Sequence, residues 1–186
     1  MEQWGPLAEY LQGQLGRPVR IKTLNIEEID QELTRRALDF VLTNPAHYIH
    51  IAHRLDRAES AHGFQPSGLT LNDSVVLASL ILQEQGHPLS VFGGVIFTTT
   101  DSTLHSLRDI VGRRVAATLS GAFGGYQIQA YELLKAGLTP PRGPLLLETG
   151  MPQDKVVEAV LAGRAEVGFV RTGVLESLAR EGKVDL

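Results

Sequence analysis

From Leu104 onward, short apolar runs of strand length alternate with amphipathic stretches of helix length, and glycines close several of the stretches. A stripe of Leu104, Leu107, Ile110 and Val111 ends at Gly112, and the run 115–119 follows. A helical pattern over 126–136 stops at Gly137, and Leu145-Leu146-Leu147 reads as the next strand. Pro152 opens a helix whose Val156, Val157, Val160 and Leu161 share one face before Gly163, then Val167-Gly168-Phe169-Val170 leads into a last helix carrying Val174, Leu175 and Leu178. Strands nearly free of polar residues, joined through helices, predict a mainly parallel sheet covered on both faces, the α/β class.

The amino-terminal half is less regular. A helix is expected over 6–15, closed by Gly16, then a strand over 19–24. Asn25 with Glu28 three residues on is a capping-box pattern for a second helix carrying Ile26, Ile29 and Leu33. Phe40-Val41-Leu42 reads as a short buried strand, and Asn44-Pro45 as cap and first residue of a helix reaching about His53. The stretch 54–74 has no periodicity, and two β-rich runs, 75–82 and 91–98, flank the breaker group Gln85-Gly86-His87-Pro88 as neighbouring strands or a hairpin.

Composition narrows the chemistry. The 17 Lys and Arg are scattered within a net charge of −4, so nucleic acid is not an expected partner. With no cysteine there is no disulfide, thiolate metal site or cysteine nucleophile. No run approaches the roughly eighteen apolar residues of a membrane span. His47, His50 and His53 are three apart, but the spacing drifts round a helix and lacks an acidic companion, so no metal is expected there. Ser120 lies outside a GxSxG pattern, and 120–126 matches neither GxGxxG nor a P-loop, so neither hydrolase nor nucleotide chemistry is indicated and no cofactor is expected.

Three corners remain where a strand opens into a helix with polar or glycine residues: Thr43-Asn44-Pro45-Ala46-His47-Tyr48, Ser120-Gly121-Ala122-Phe123-Gly124-Gly125-Tyr126, and Arg171-Thr172-Gly173. Ligands of open parallel sheets bind outside the carboxyl ends of the strands, so these corners can share a crevice. The glycine-rich loop reads as an anion cradle at a helix start, and Arg171 adds a planar donor fork suited to an oxyanion. A purely structural reading stands beside this one: Asn44 and Thr172 as caps, Arg171 paired with Glu176, and the loop an ordinary tight turn.

The segments 4–11, 38–48, 92–97, 112–117, 121–126 and 159–176 resemble the phosphonate-binding-protein-like branch of type II periplasmic binding proteins, especially versions that serve as input domains of bacterial sensor histidine kinases. The resemblance implies two α/β lobes, 1–92 plus 172–186 and 93–171, with a small anion bound in the cleft between them and hinge closure as the response. It implies Thr43, Asn44, Pro45, His47 and Tyr48 facing the cleft from lobe one, Ser120 to Tyr126 from lobe two, Met151 and Gln153 at the border, and Arg171 with Thr172 at the return crossing. Relatives carry several hydroxyls where this chain has Ser120-Gly121-Ala122, which favours an anion without an amino group, such as a sulfur oxyanion or small carboxylate. They also have a strand ahead of the segment matching Trp4 and further closing elements, so lobe one is expected to be truncated or completed by a neighbouring copy in a homodimer. The implied function is a non-catalytic, periplasmic ligand-sensing domain of a membrane-anchored histidine kinase. The alternative is a solute-binding protein of an ABC importer for phosphonate or another oxyanion.

Overall fold

The computed structural model describes residues 4–52, 76–84 and 86–186. The chain divides into two compact units, Met1–Thr43 and Asn44–Leu186.

In the smaller unit, α1 (Gly5–Leu15) starts with proline in its first turn and ends at Gly16, whose φ of 65° is the left-handed conformation that lets its N–H reach Gln12 O. Helix α2 (Ile26–Thr34) has the expected reciprocal cap: Glu28 N–H donates to Asn25 Oδ1 at 2.9 Å, and Asn25 N–H to Glu28 Oε2 at 2.8 Å. The strands expected over 19–24 and 40–42 are not there. Neither segment has a ladder partner among the described residues, no residue of 4–43 is fully buried, and Phe40 and Leu42 are 52% and 59% exposed. Alternating β-branched residues favour an extended chain, but only a neighbouring strand turns extension into a sheet.

The larger unit begins with α3, over 45–52. Asn44 caps it, accepting from His47 N–H at 2.9 Å, with Pro45 at the first helical position. The expected helix end at His53, the stretch 54–74, Val75 and Gln85 lie outside the described residues. Antiparallel β1 (Leu82–Glu84) and β2 (His87–Leu89) then pair as Leu82↔Leu89 through Glu84↔His87. The hairpin is thus shorter than expected and takes in the breaker residues themselves; Pro88 is tolerated because a two-stranded ribbon consists only of edges.

The principal sheet has the order β3-β6-β4-β5, with β3 (Gly94–Phe97), β4 (Val115–Ala117), β5 (Leu146–Glu148) and β6 (Val167–Arg171). Strands β4, β5 and β6 are parallel; β3 runs antiparallel to β6, so it pairs with the chain's return rather than with the run before it. Side chains alternate between two cores. Val115, Ala117, Val167 and Phe169 pack with Leu133 of α4 (Ile128–Lys135), while Ala116 and Val170 pack with α5 (Asp154–Leu161) and α6 (Val174–Arg180). Between β3 and β4, the expected helix is a short 3-10 turn, Leu107–Ile110. There the Asp109 carboxylate accepts from the N–H groups of His105 and Ser106 and from the Ser106 hydroxyl, which holds it below the usual carboxylate range.

Candidate functional site

Because β4, β5 and β6 are parallel, their carboxyl ends lie along one edge of the sheet, and the antiparallel β3 brings its own start to the same edge, Gly94 opposite Arg171. The exit and return of this sheet are tied together: Thr172 N–H donates to Gly93 O at 2.9 Å, and Gly93 N–H donates to Thr172 Oγ1 at 3.0 Å.

The glycine-rich loop sits on this edge. After a turn closed by Ala122 N–H to Leu119 O, the chain makes one π-helical turn, Phe123–Gln127, which runs directly into α4. A widened turn of this kind recurs at functional sites. Its first amides, from Phe123 on, are those that a helix start leaves without an intrahelical acceptor. The glycines let the turn settle onto its neighbours. A side chain built at Gly124 would lie 2.7 Å from the Phe92 ring and 3.0 Å from Arg171 Cβ, and one at Gly125 would collide with Thr118 Oγ1. Phe123 also meets Phe92 edge-on, ring centroids 5.7 Å apart. Gly121 differs: a Cβ there would touch nothing within 4 Å.

The fold therefore brings together the loop and Arg171, two of the three corners found in the sequence. Arg171 is part-buried; Gln153 Oε1, at the start of α5, accepts its N–H at 2.8 Å, while its guanidinium forms no ion pair among the described residues, with Glu176 or any other carboxylate. Tyr126 turns inward. It is 7% exposed, its hydroxyl donates to Pro141 O at 2.7 Å, and its ring packs near Phe169. At the third corner the recorded bonds of Asn44 and Tyr48 are local to α3, His47 is buried with its ring stacked on His50 at 6.5 Å, and Thr43 closes the smaller unit.

Two residues that the sequence reading passed over organise the site. Gln129 is fully buried, and its Nε2 donates to Val170 O at 2.7 Å, Gly124 O at 3.0 Å and Val95 O at 3.3 Å, joining the loop to both antiparallel strands. Gly94 makes room for it, since a Cβ there would stand 2.7 Å from the Gln129 amide. The signal was present as a polar residue within the stripe Tyr126, Gln129, Ala130, Leu133. Glu148, closing β5, accepts from Ser120 N–H at 2.6 Å, and the Ser120 hydroxyl with that N–H holds its carboxyl below the ordinary glutamate range. The strand-end rule that selected Arg171 would also have found Glu148. Ser120 and Glu148 line an open recess of about 550 Å³ together with Tyr126, Arg142, Gly143 and Leu146.

An open α/β sheet with helices on both faces is an architecture that binds ligands outside the carboxyl ends of its strands. The family model described as "ABC transporter, phosphonate, periplasmic substrate-binding protein" matches residues 1–186, and the chain belongs to that family. It is 31% identical over 185 residues to the tetrathionate sensor histidine kinase TtrS of Salmonella typhimurium, covering 98% of this chain and 28% of that protein. Two structures of XAC2383 from Xanthomonas citri share the fold of this chain. The ATP-bound one has a TM-score of 0.61 at 22% identity over 96% of this chain, and the chloride-bound one 0.62 at 21% over 94%. This chain spans 62% and 61% of theirs. The chain is thus a phosphonate-binding-like domain homologous to part of a sensor kinase.

Proposed function

We propose that this domain binds a small oxyanion at the carboxyl edge of its sheet and serves as the extracytoplasmic sensing part of a membrane-anchored histidine kinase. Ligand contacts come from the Arg171 guanidinium, from Ser120 and from the amides that open the 123–127 turn. Asn44, Pro45, His47 and Tyr48, at the start of α3, supply the further contacts of this reading. The observation that carries this reading is Arg171: its backbone is anchored by Gln153, its Cβ lies against the loop, and no carboxylate among the described residues neutralises it. A part-buried cation beside amides that lack acceptors is a site for negative charge.

The ligand class follows from the side chains. The stretch 120–126 has a single serine, Ser120, with the Tyr126 hydroxyl already donated to Pro141 O, and no carboxylate for an amino group, which favours a sulfur oxyanion such as tetrathionate, named for the homologue TtrS, over an aminophosphonate. The domain supplies binding and not catalysis. The family's description also favours delivery to an importer, and the same site would serve it; whether the natural polypeptide continues into membrane and kinase segments distinguishes the two.

A thermal-shift screen with tetrathionate, thiosulfate, sulfate, methylphosphonate, small carboxylates and ATP tests the ligand class. A ligand at about one hundred times its Kd adds about 2.7 kcal/mol to stability. Stabilisation by tetrathionate or another oxyanion is expected. Stabilisation by ATP alone would reassign the site to nucleotides, and no shift with any anion would refute the proposal.

A further inference from the structure

We propose that Glu148 is a displaceable internal anion: its carboxylate occupies the Ser120 donors in the unliganded chain, and an incoming oxyanion must expel it to bind. The inference rests on the anion-site reading above and adds the residue that sets the threshold for binding.

Three observations carry it. The contact between Ser120 N–H and Glu148 Oε1, at 2.6 Å, is short and charge-assisted, the interaction that an oxyanion ligand would make with the same group. Little else holds Glu148: it is the exposed last residue of an edge strand, and among the described residues it forms no ion pair. Release therefore costs little beyond the Ser120 contacts themselves. Space and a second partner are also at hand. Gly121, next to Ser120, has open space where a side chain would stand, and its φ lies outside the left-handed range, so the backbone itself does not require glycine there. Arg142 lines the same recess, giving an expelled carboxylate a cation to approach.

The groups facing Glu148 are Ser120, Arg142 and Tyr126, and the Tyr126 hydroxyl is occupied by Pro141 O. The clamp is therefore governed by Glu148's own charge. Its carboxyl is held below the ordinary value of 4.5 by the Ser120 hydroxyl and N–H, so the clamp is intact at neutral pH and released as pH falls through that lowered value. Anion affinity of the native chain should rise in the same acid window, because protonation removes the competitor.

The experiment is a calorimetric titration of the native chain, Glu148→Gln and Arg171→Ala with tetrathionate, at neutral pH and at a descending series of pH values that passes the ordinary glutamate value of 4.5 and reaches about pH 3. The amide introduced by Glu148→Gln can still accept from Ser120 N–H, so the loop keeps its cap while the competing charge is gone. Glu148→Gln should bind about ten-fold tighter at neutral pH, the worth of one charge-assisted contact. Its affinity should also change less with pH than that of the native chain. Equal or weaker binding by Glu148→Gln, with binding still lost in Arg171→Ala, would overturn the role of Glu148 and leave the anion site standing. Binding unaffected by Arg171→Ala, or absent from all three proteins, would overturn both. A ligand-side check is the carboxyl carbon resonance of Glu148, whose titration should move back toward the ordinary glutamate range when tetrathionate saturates the native chain; an unmoved titration would contradict displacement.

Discussion

At the residue scale, the site depends on side chains with unequal satisfaction. Gln129 gives its amide N–H groups to three carbonyls while its Oε1 is buried without a partner, and Thr118 Oγ1, facing Gly125, is buried unpartnered as well. Such half-satisfied groups are tolerated where they fix a geometry, here the loop against the two antiparallel strands. The amide identity of Gln129 is therefore decisive. Gln129→Glu keeps the shape but turns a donor into an acceptor facing Val95 O, Gly124 O and Val170 O, and should cost roughly 1–3 kcal/mol at neutral pH. Burial and three facing carbonyls raise the folded-state pKa of that carboxyl, so the penalty grows as pH rises above about 4.3 and fades below it. Urea denaturation at neutral and acid pH measures this; equal stability of variant and native chain at neutral pH would show that the amide is not needed.

At the element scale, close approach explains glycines that periodicity marks as weak points. Gly168 lies opposite Phe97 in the β3–β6 register, and a Cβ there would fall onto the Phe97 ring. Gly168→Ala should thus destabilise by about 1–3 kcal/mol through overpacking, and less in a Phe97→Leu background; thermal or chemical denaturation of the four-protein cycle reads the coupling. Most elements from 94 onward were legible because each strand is apolar up to its last residue and α4, α5 and α6 keep a stripe, as in Val156, Val157 and Val160; the stripe over 104–111 was overread, since it forms only the short turn Leu107–Ile110. The caps at Asn25 and Asn44 were legible because capping is local chemistry. Strands over 19–24 and 40–42 were overread, since pattern cannot supply a pairing partner. That Arg171 and the glycine loop lie beside each other could be read from strand ends and glycines. The Glu148 contact with Ser120 escaped because it depends on β4 and β5 being neighbours, and the inward turn of Tyr126 escaped because sequence does not tell which way a helix-start tyrosine turns.

At the scale of the whole molecule, burial is concentrated in the larger unit. The cores lie on the two faces of the β3-β6-β4-β5 sheet, whereas 4–43 contributes no fully buried residue. Native-state hydrogen exchange should accordingly show the amides of β4, β6, α4 and α5 opening only near the global unfolding free energy, and those of α1 and α2 exchanging at much lower cost. Comparable protection across both regions would contradict that division. The candidate edge carrying Arg171 and the glycine loop belongs to the better-buried part, so side chains there are backed by the principal sheet. The most direct test of the central claim, a small anion held by Arg171 beside the glycine loop, is calorimetric titration of the native chain and Arg171→Ala with tetrathionate. The account predicts saturable binding to the native chain and a loss of about 1.5–3 kcal/mol in the variant, roughly ten- to hundred-fold in Kd; equal affinity in both proteins, or no binding to the native chain, would contradict it.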